Sequence, residues 1–387
     1  MKLSRIVPSG VGSSRAAALA LAAIVPLALA GCAAGPSEAA SDGGLRDVTV
    51  VLDWTPNTNH SGLYLAQSEG WFEEEGLDVE IVEPGETSGL QLVAAGQADF
   101  AYSVAEGLVP ARAAGADVVS VATVIEHNTS SLISLSEDGI TRPKDLEGKR
   151  YGSYESDLEK ALISKLVECD GGDPTKVEFT PLVSDDFRIG LTEDQFDTAW
   201  VFDAWDTIRL GEVDRLDVDT IAFRDHFDCI PDWYTPLVAT SQKLLDEDPD
   251  VARGFLAALS RGYEEAAADP DRAAQVLLAA APELDPELVS ASAKWLGPQY
   301  TSGDWGMQRA EVWDEFVAFL EEEGLTEPGF DTDAAWTDEY LPDSDAKGSE
   351  EQASDGTGSD GAGSDATASD GAASDGTGSA EPGESRP

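Results

Sequence analysis

Residues Asp53-Trp54-Thr55-Pro56-Asn57-Thr58-Asn59-His60 bring a carboxylate, an indole, two amides and an imidazole into eight consecutive positions. A loop so equipped can hold a flat, polar molecule: the indole face stacks, while the carboxylate and amides hydrogen-bond to the edge. The same residues also admit a structural reading, with Trp54 in the core and Asn57 and Asn59 shaping a turn around Pro56. The loop follows the apolar run Val48, Val50, Val51 and Leu52, patterned as a buried strand. It precedes a helix-like pattern at Leu63, Leu65 and Ala66 that runs into Gly70. Strand, polar loop, helix is where open α/β sheets bind ligands, at the carboxyl ends of strands.

The ends of the chain have a different character. Lys2, Arg5 and Arg15 precede an alanine-rich apolar run at 16–30, too short for a stable membrane span and laid out as an export signal over 1–31. Leu29-Ala30-Gly31-Cys32 resembles the bacterial lipobox, in which the cysteine is diacylated and becomes the first residue. The alternative is an ordinary signal peptide with an incidental cysteine. Residues 32–45, rich in Ala, Gly and Ser, would be a flexible leash. From 343 to 387 aliphatic and aromatic residues disappear and Ser-Asp-Gly recurs, which predicts a disordered acidic tail. The net charge is −51, and this tail, with eleven acids and two bases, supplies −9 of it. So acidic a surface repels nucleic acid and anionic headgroups, so no nucleic-acid partner is expected.

Between these ends, strand-like and helix-like patterns alternate. Strands are predicted at 77–82, 98–102, 117–125, near Tyr151, and at 177–180, 198–202 and 234–239. Helices are predicted at 88–95, 108–115, 158–168, 250–268, 270–280, 286–296 and 307–323. Asp248-Pro249 and Asp269-Pro270 are helix-start signals. Repeated β–α units imply an α/β fold with mostly parallel sheets.

Several segments occur in one order. They are Leu52-Asp53-Trp54-Thr55-Pro56-Asn57, Gly96-Gln97-Ala98-Asp99-Phe100, Glu126-His127-Asn128-Thr129-Ser130, Asp145-Leu146-Glu147-Gly148-Lys149, Ala199-Trp200-Val201-Phe202 and Asp232-Trp233-Tyr234-Thr235-Pro236. In this the chain resembles the substrate-binding lipoproteins of ABC importers, in the branch that binds pyrimidine precursors of thiamine. The resemblance covers about residues 47–342. It implies a type II periplasmic-binding-protein-like fold: two α/β lobes, each a mostly parallel sheet flanked by helices, hinged by two crossings around a cleft. Lobe 1 would be 46–137 with 233–342, and lobe 2 would be 138–232. The ligand implied is formylaminopyrimidine or hydroxymethylpyrimidine, held from lobe 1 by Trp54, Asn57, His60, Tyr102, Glu106, His127 and Asn128. Lobe 2 would add Tyr154, Ser156, Trp200, Asp203 and Trp205. Three of these have structural alternatives: Trp200 as core, Glu106 as a carboxylate suited to a helix start, and His127 as a loop-orienting group. At Tyr154-Glu155-Ser156-Asp157 the chain departs from the Trp-Gly-Ser-Pro-like turn of relatives.

Partners implied are the permease and ATPase of the importer and the membrane, through lipid on Cys32 at the extracytoplasmic face. The protein itself is expected to be a monomer. A sulfonate, taurine or nitrate binder would want arginine or lysine in the cleft, whereas the candidate loops are acidic and aromatic. Pyrimidine synthases of this fold use a lysine Schiff base, and Ser103 stands at that position. No enzyme activity, cofactor or metal is therefore expected. With Cys32 set aside for lipid, Cys169 and Cys229 remain as a disulfide closing a loop of about 60 residues, or as two buried thiols.

Overall fold

In a computed structural model, which describes residues 44–184, 186–300 and 305–342, the apolar run ahead of the polar loop is strand β1, Arg46–Val51. The export signal, Cys32, all but the last two residues of the leash, and the acidic tail lie outside the described residues. Strand β1 pairs in parallel with β2, Leu77–Val82, and with β3, Phe100–Ser103. The fourth strand of the chain, β4 at Val119–Thr123, closes one edge of this first sheet.

The chain then crosses to a second sheet. It comprises β5, Ser130–Leu135; β6, Arg150–Ser153; β7, Glu178–Pro181; β8, Thr198–Phe202; and β9, Val218–Ala222. The return crossing leads into β10, Leu237–Thr240, in the first sheet. The orders are β2-β1-β3-β10-β4 and β7-β6-β8-β5-β9. Each sheet thus has one antiparallel strand, in the fourth place, and it is the strand entered directly from a crossing. This is the two-lobed α/β fold of type II periplasmic binding proteins.

The lobe boundary expected at 137/138 needs correcting. Strand β5 already belongs to the second sheet, between β8 and β9, so the change of sheet falls before Ser130. The three serines of β5 hid it from the apolar pattern. Within the fold Ser131 Oγ donates to Asp203 Oδ2 at 2.8 Å and Ser134 Oγ to the Ile140 carbonyl at 3.3 Å, which offsets the cost of burying those two hydroxyls, while Ser130 Oγ is buried without a hydrogen bond among the described residues.

Helix Ser61–Ser68, which follows the polar loop, packs against the long helix Pro249–Ala268. Their backbones meet at Gly62 and Gly262, where a Cβ on Gly262 would lie 2.0 Å from the Gly62 carbonyl oxygen. That approach brings Tyr263 under the loop. Phe255, from the same helix, stacks between Phe72 and Phe100 at 5.3 and 4.0 Å. Fully burying side chains of this size contributes roughly 1.5–3 kcal/mol each. A second cluster runs from Val51 and Ala101 of the first sheet to Leu132 and Tyr151 of the second, through Trp233 of the return crossing. No helix among the described residues is long and apolar enough to cross a membrane.

Cys169 and Cys229 form a disulfide, with Cα atoms 5.9 Å apart. It ties the end of helix Asp157–Cys169 to the approach of the return crossing. For a separation of 60 residues, chain entropy assigns such a link about 4 kcal/mol as an upper figure. Replacing both cysteines by serine should lower unfolding free energy by up to that amount in non-reducing chemical denaturation. Thiol labelling of the unfolded, unreduced chain should leave both positions unmodified; label at either would contradict the bridge.

Candidate functional site

The 53–60 loop is held mainly by its own side chains. Asn57 Oδ1 accepts from the Asn59 N–H at 2.9 Å, and Asn57 Nδ2 donates to the Thr55 carbonyl at 3.0 Å. His60, fully buried, accepts the Asn57 N–H on Nδ1 at 3.2 Å. Its proton therefore sits on Nε2, which donates to Asp53 Oδ1 at 2.8 Å. The imidazole edge meets the Tyr102 ring at 4.9 Å.

Later helices brace the loop from below. Tyr102 donates to Tyr263 at 2.8 Å, and Tyr263 donates to the Asn59 carbonyl at 2.5 Å. Burial pushes both phenols well above their ordinary range, so both remain neutral donors. Tyr300 donates to the Thr58 carbonyl at 2.8 Å, and Thr58 Oγ1 meets Ser292 Oγ at 2.5 Å. Ser292 in turn donates to the Ala204 carbonyl, joining the loop to the segment that follows β8 in the second sheet.

That segment, Asp203–Thr207 and Arg209–Val213, is wound as π-helix, a rare form frequent at functional sites. Between it and the 53–60 loop lies a cavity of about 810 Å³. Trp54 of the loop and Trp205 of the π-helical segment both line it, and Asp53, Asn59, Tyr102 and Ser103 add polar groups. Trp54, which lines the cavity, is 46% exposed. Asn59 Oδ1 is buried without a hydrogen bond among the described residues.

Of the residues expected to hold ligand, Trp54, Asn57, Tyr102 and Trp205 line this cavity. The others are placed elsewhere, each for a physical reason. His60 sits behind the loop, committed to Asp53. Asp203 accepts from Ser131 Oγ at 2.8 Å and Thr207 Oγ1 at 2.9 Å, with burial raising its pKa. Ser156 caps helix Asp157–Cys169, accepting the Glu159 N–H at 3.1 Å, and the neighbouring Tyr154 is exposed. Trp200 packs on Phe223 and Trp233 at 5.3 and 6.0 Å.

His127 and Asn128 serve the crossings. Asp232 Oδ2 pairs with His127 Nδ1 at 2.6 Å, which raises the imidazole pKa. Asp232 Oδ1 accepts the N–H groups of Asn128 and Trp233, both at 2.9 Å. One carboxylate from the return crossing thus binds the outgoing one. Glu106 stands in the first turn of helix Ala105–Ala113 and is not among the cavity-lining residues. Its Oε2 is buried without a hydrogen bond among the described residues, and burial, opposed by the neighbouring Trp233 and helped by the Asp53 charge, raises its pKa to about 7.

Lining residues that sequence reasoning missed include Ser88 and Gln91, a reciprocal capping pair at the start of helix Gly89–Ala94. Their Ser-x-x-Gln spacing reads first as a helix start. Asn59 lay within the loop singled out, but nothing local distinguished it from Asn57.

A model of the family described as NMT1/THI5 like matches residues 57–273. A formylaminopyrimidine-binding protein of Halalkalibacterium halodurans is 29% identical over 292 residues, covering 74% of this chain and 88% of its own length. A 4-amino-5-hydroxymethyl-2-methylpyrimidine phosphate synthase of Legionella pneumophila is 27% identical over 303 residues, covering 77% and 93%. Among solved structures, the periplasmic aliphatic sulphonate binding protein SsuA of Escherichia coli superposes with a TM-score of 0.59 at 16% identity, covering 75% of this chain and 91% of that one. The expectation of no enzyme activity is overturned by these relatives, several of which carry synthase names. The reason is that one cleft frame serves both roles. Ser103, on which that expectation turned, itself lines the cavity.

Two outcomes test this geometry. Asp232→Ala leaves backbone N–H groups of both crossings unpaired and should cost on the order of 2–4 kcal/mol in chemical denaturation, with Asp232→Asn costing less. Glu106 titrates near 7 when folded against 4.5 unfolded, so its contribution is complete below pH 4.5 and is lost as pH rises through 7. Glu106→Gln should flatten the stability–pH curve in that window and exceed the parent above pH 8 by about 3 kcal/mol. An unchanged slope would place that carboxyl in water.

Proposed function

This chain belongs to the NMT1/THI5-like family, and on that footing we propose that its cleft captures an aminopyrimidine precursor of thiamine for an ABC importer. The observation that carries the reading is that two indoles, Trp54 of the 53–60 loop and Trp205 of the π-helical segment, line one cavity together with Asp53 and Asn59. A planar ring between two indoles gains about 0.5–1.5 kcal/mol from each stack beyond the area it buries. An exocyclic amine can donate to the Asp53 carboxylate and to the unpaired Asn59 Oδ1, the charged acceptor contributing about 1.5–3 kcal/mol. At 810 Å³ the cavity is within the ordinary range for small molecules. Because its walls come from both sheets, ligand contacts favour closure, which a permease and its ATPase can sense.

In this reading lobe 1 carries the loop and lobe 2 the π-helical segment, and Cys32 holds the protein by lipid at the outer face of the membrane. The formylaminopyrimidine-binding relative supports the ligand class. A second reading, synthesis of such a pyrimidine, is favoured by the synthase-named relatives.

Thermal shift separates the ligand classes. Formylaminopyrimidine or hydroxymethylpyrimidine should raise the melting temperature, and taurine, alkyl sulfonates and nitrate should not. Trp54→Ala should weaken pyrimidine binding by about 1 kcal/mol while leaving the melting temperature of the free protein near the parent's, since the indole is half-exposed. A shift with a sulfonate and none with any pyrimidine would sink the assignment. Mass spectrometry addresses the second reading, because a synthase would yield such a pyrimidine from a different starting compound, whereas a binding protein returns only the ligand it was given.

A further inference from the structure

The cavity does not end at the 53–60 loop. Past Ser88 its walls are helix Gly89–Ala94 on one side and helix Ala105–Ala113 on the other. Leu90, Ala94 and Ala95 line it from the first, and Val104, Gly107 and Ala111 from the second, at the i, i+3, i+7 spacing of one helical face. We propose that this trough is a subsite for an unbranched apolar arm, so that the preferred ligand is a heteroaromatic ring carrying such an extension. The inference rests on the main cavity holding the ring and adds what the ring carries.

Size is the first support. A ring compound of about ten non-hydrogen atoms, allowed roughly 30 Å³ for each as for a water, fills about 300 Å³. That is well under half of the 810 Å³ present. Closure of the cleft does not take up the space in the trough, because both helices connect strands of the first sheet. Moving one sheet against the other leaves the gap between those helices as it is. From Val104 to Ala111 the helical rise is about 10 Å, which is the length offered beyond the ring.

Polarity is the second. At the mouth of the trough Ser88 Oγ accepts the Gln91 N–H and Gln91 Oε1 accepts the Ser88 N–H, each at 3.3 Å. Past that pair the lining side chains are aliphatic, and the helical backbone spends its polar groups on its own hydrogen bonds. Leu108 and Val109, further round the same helix, are fully buried in the core, so the trough face is the one left over. Gly107 keeps that face deep. A Cβ there would meet Val104, Ser103 and Leu90 at 3.5, 3.8 and 3.9 Å, which are ordinary contacts. Glycine inside a helix is disfavoured against alanine, and here no crowding requires it. The space it leaves opens on the polar end of the cavity, and methylenes gain by filling it.

The test is calorimetry on the full chain with 4-amino-5-hydroxymethyl-2-methylpyrimidine and two series built on it. One series carries n-alkyl ethers at the hydroxymethyl oxygen, the other n-alkyl groups in place of the 2-methyl. In at least one, affinity should rise about two- to fourfold for each added methylene through the butyl compound. Ala111→Leu and, from the facing helix, Ala94→Leu fill the trough, and each should cut the ratio of butyl-compound to parent-compound affinity by at least about tenfold. Taking the ratio within each protein cancels any effect of the substitution on the ring site, and two variants keep the comparison if one folds poorly. Affinity that stays level or falls with arm length in both series overturns the subsite and leaves the pyrimidine reading standing. A fall would mean that closure uses the trough for a second-sheet side chain such as Phe202, which lines the same cavity and is 39% exposed. A gain that both variants retain puts the arm elsewhere and equally overturns the subsite. If no compound binds, the parent pyrimidine included, the reading of the main cavity falls and the subsite with it. Butanol alone should bind far more weakly than the butyl compounds; equal affinity would show that no ring is required and overturn the ligand class.

Discussion

Two chain crossings have to keep two separately hydrogen-bonded sheets facing one cleft, and the Asp232 carboxylate is the group that joins those crossings. Its oxygens take two backbone N–H groups and the His127 ring, from both crossings. Charge-assisted bonds of this kind are roughly twice as strong as neutral ones, and they lie where a few dihedral angles set the relation of the lobes. The adjoining Trp233 supplies the apolar half of the junction, stacked on Phe316 at 5.5 Å and meeting Trp200 edge-on. Each crossing then delivers the chain into an antiparallel strand in the fourth place of its sheet, so both lobes start from the same joint.

The 53–60 loop achieves rigidity by a different route. A buried histidine with one nitrogen accepting a backbone N–H and the other donating to Asp53 needs no positive charge to be satisfied. Asn57 spends its acceptor and one donor inside the loop. With the internal donors and acceptors paired in this way, Trp54, Asp53 and Asn59 are left to face the cavity on a braced backbone. Such preorganisation reduces the ordering cost of binding.

Binding proteins and synthases of comparable identity to this chain share the family frame. The names of these relatives divide between binding and synthesis, and the frame they share does not choose between them. The choice lies in individual side chains at the cavity, Ser103 among them.

Much that depends on local pattern was determined by the sequence itself. The β1 run, the polar loop and the helix after it were legible because burial on a strand or helix repeats with a short period. The starts of helices Pro249–Ala268 and Pro270–Ala280 were legible because aspartate followed by proline is a local signal. Pairing of Cys169 with Cys229 was left open, since it requires two segments 60 residues apart to meet. Tertiary structure also decided which polar residues support the site and which face it. His60 turned inward because Tyr102 and Asp53 receive it, and Asp203 because Ser131, 72 residues earlier, does. Strand β5 was invisible because Ser131 and Ser134 look exposed until Asp203 and the Ile140 carbonyl take their hydroxyls. A side chain's type and spacing limit the chemistry it can do, but its direction depends on partners that only the folded chain brings within hydrogen-bonding distance.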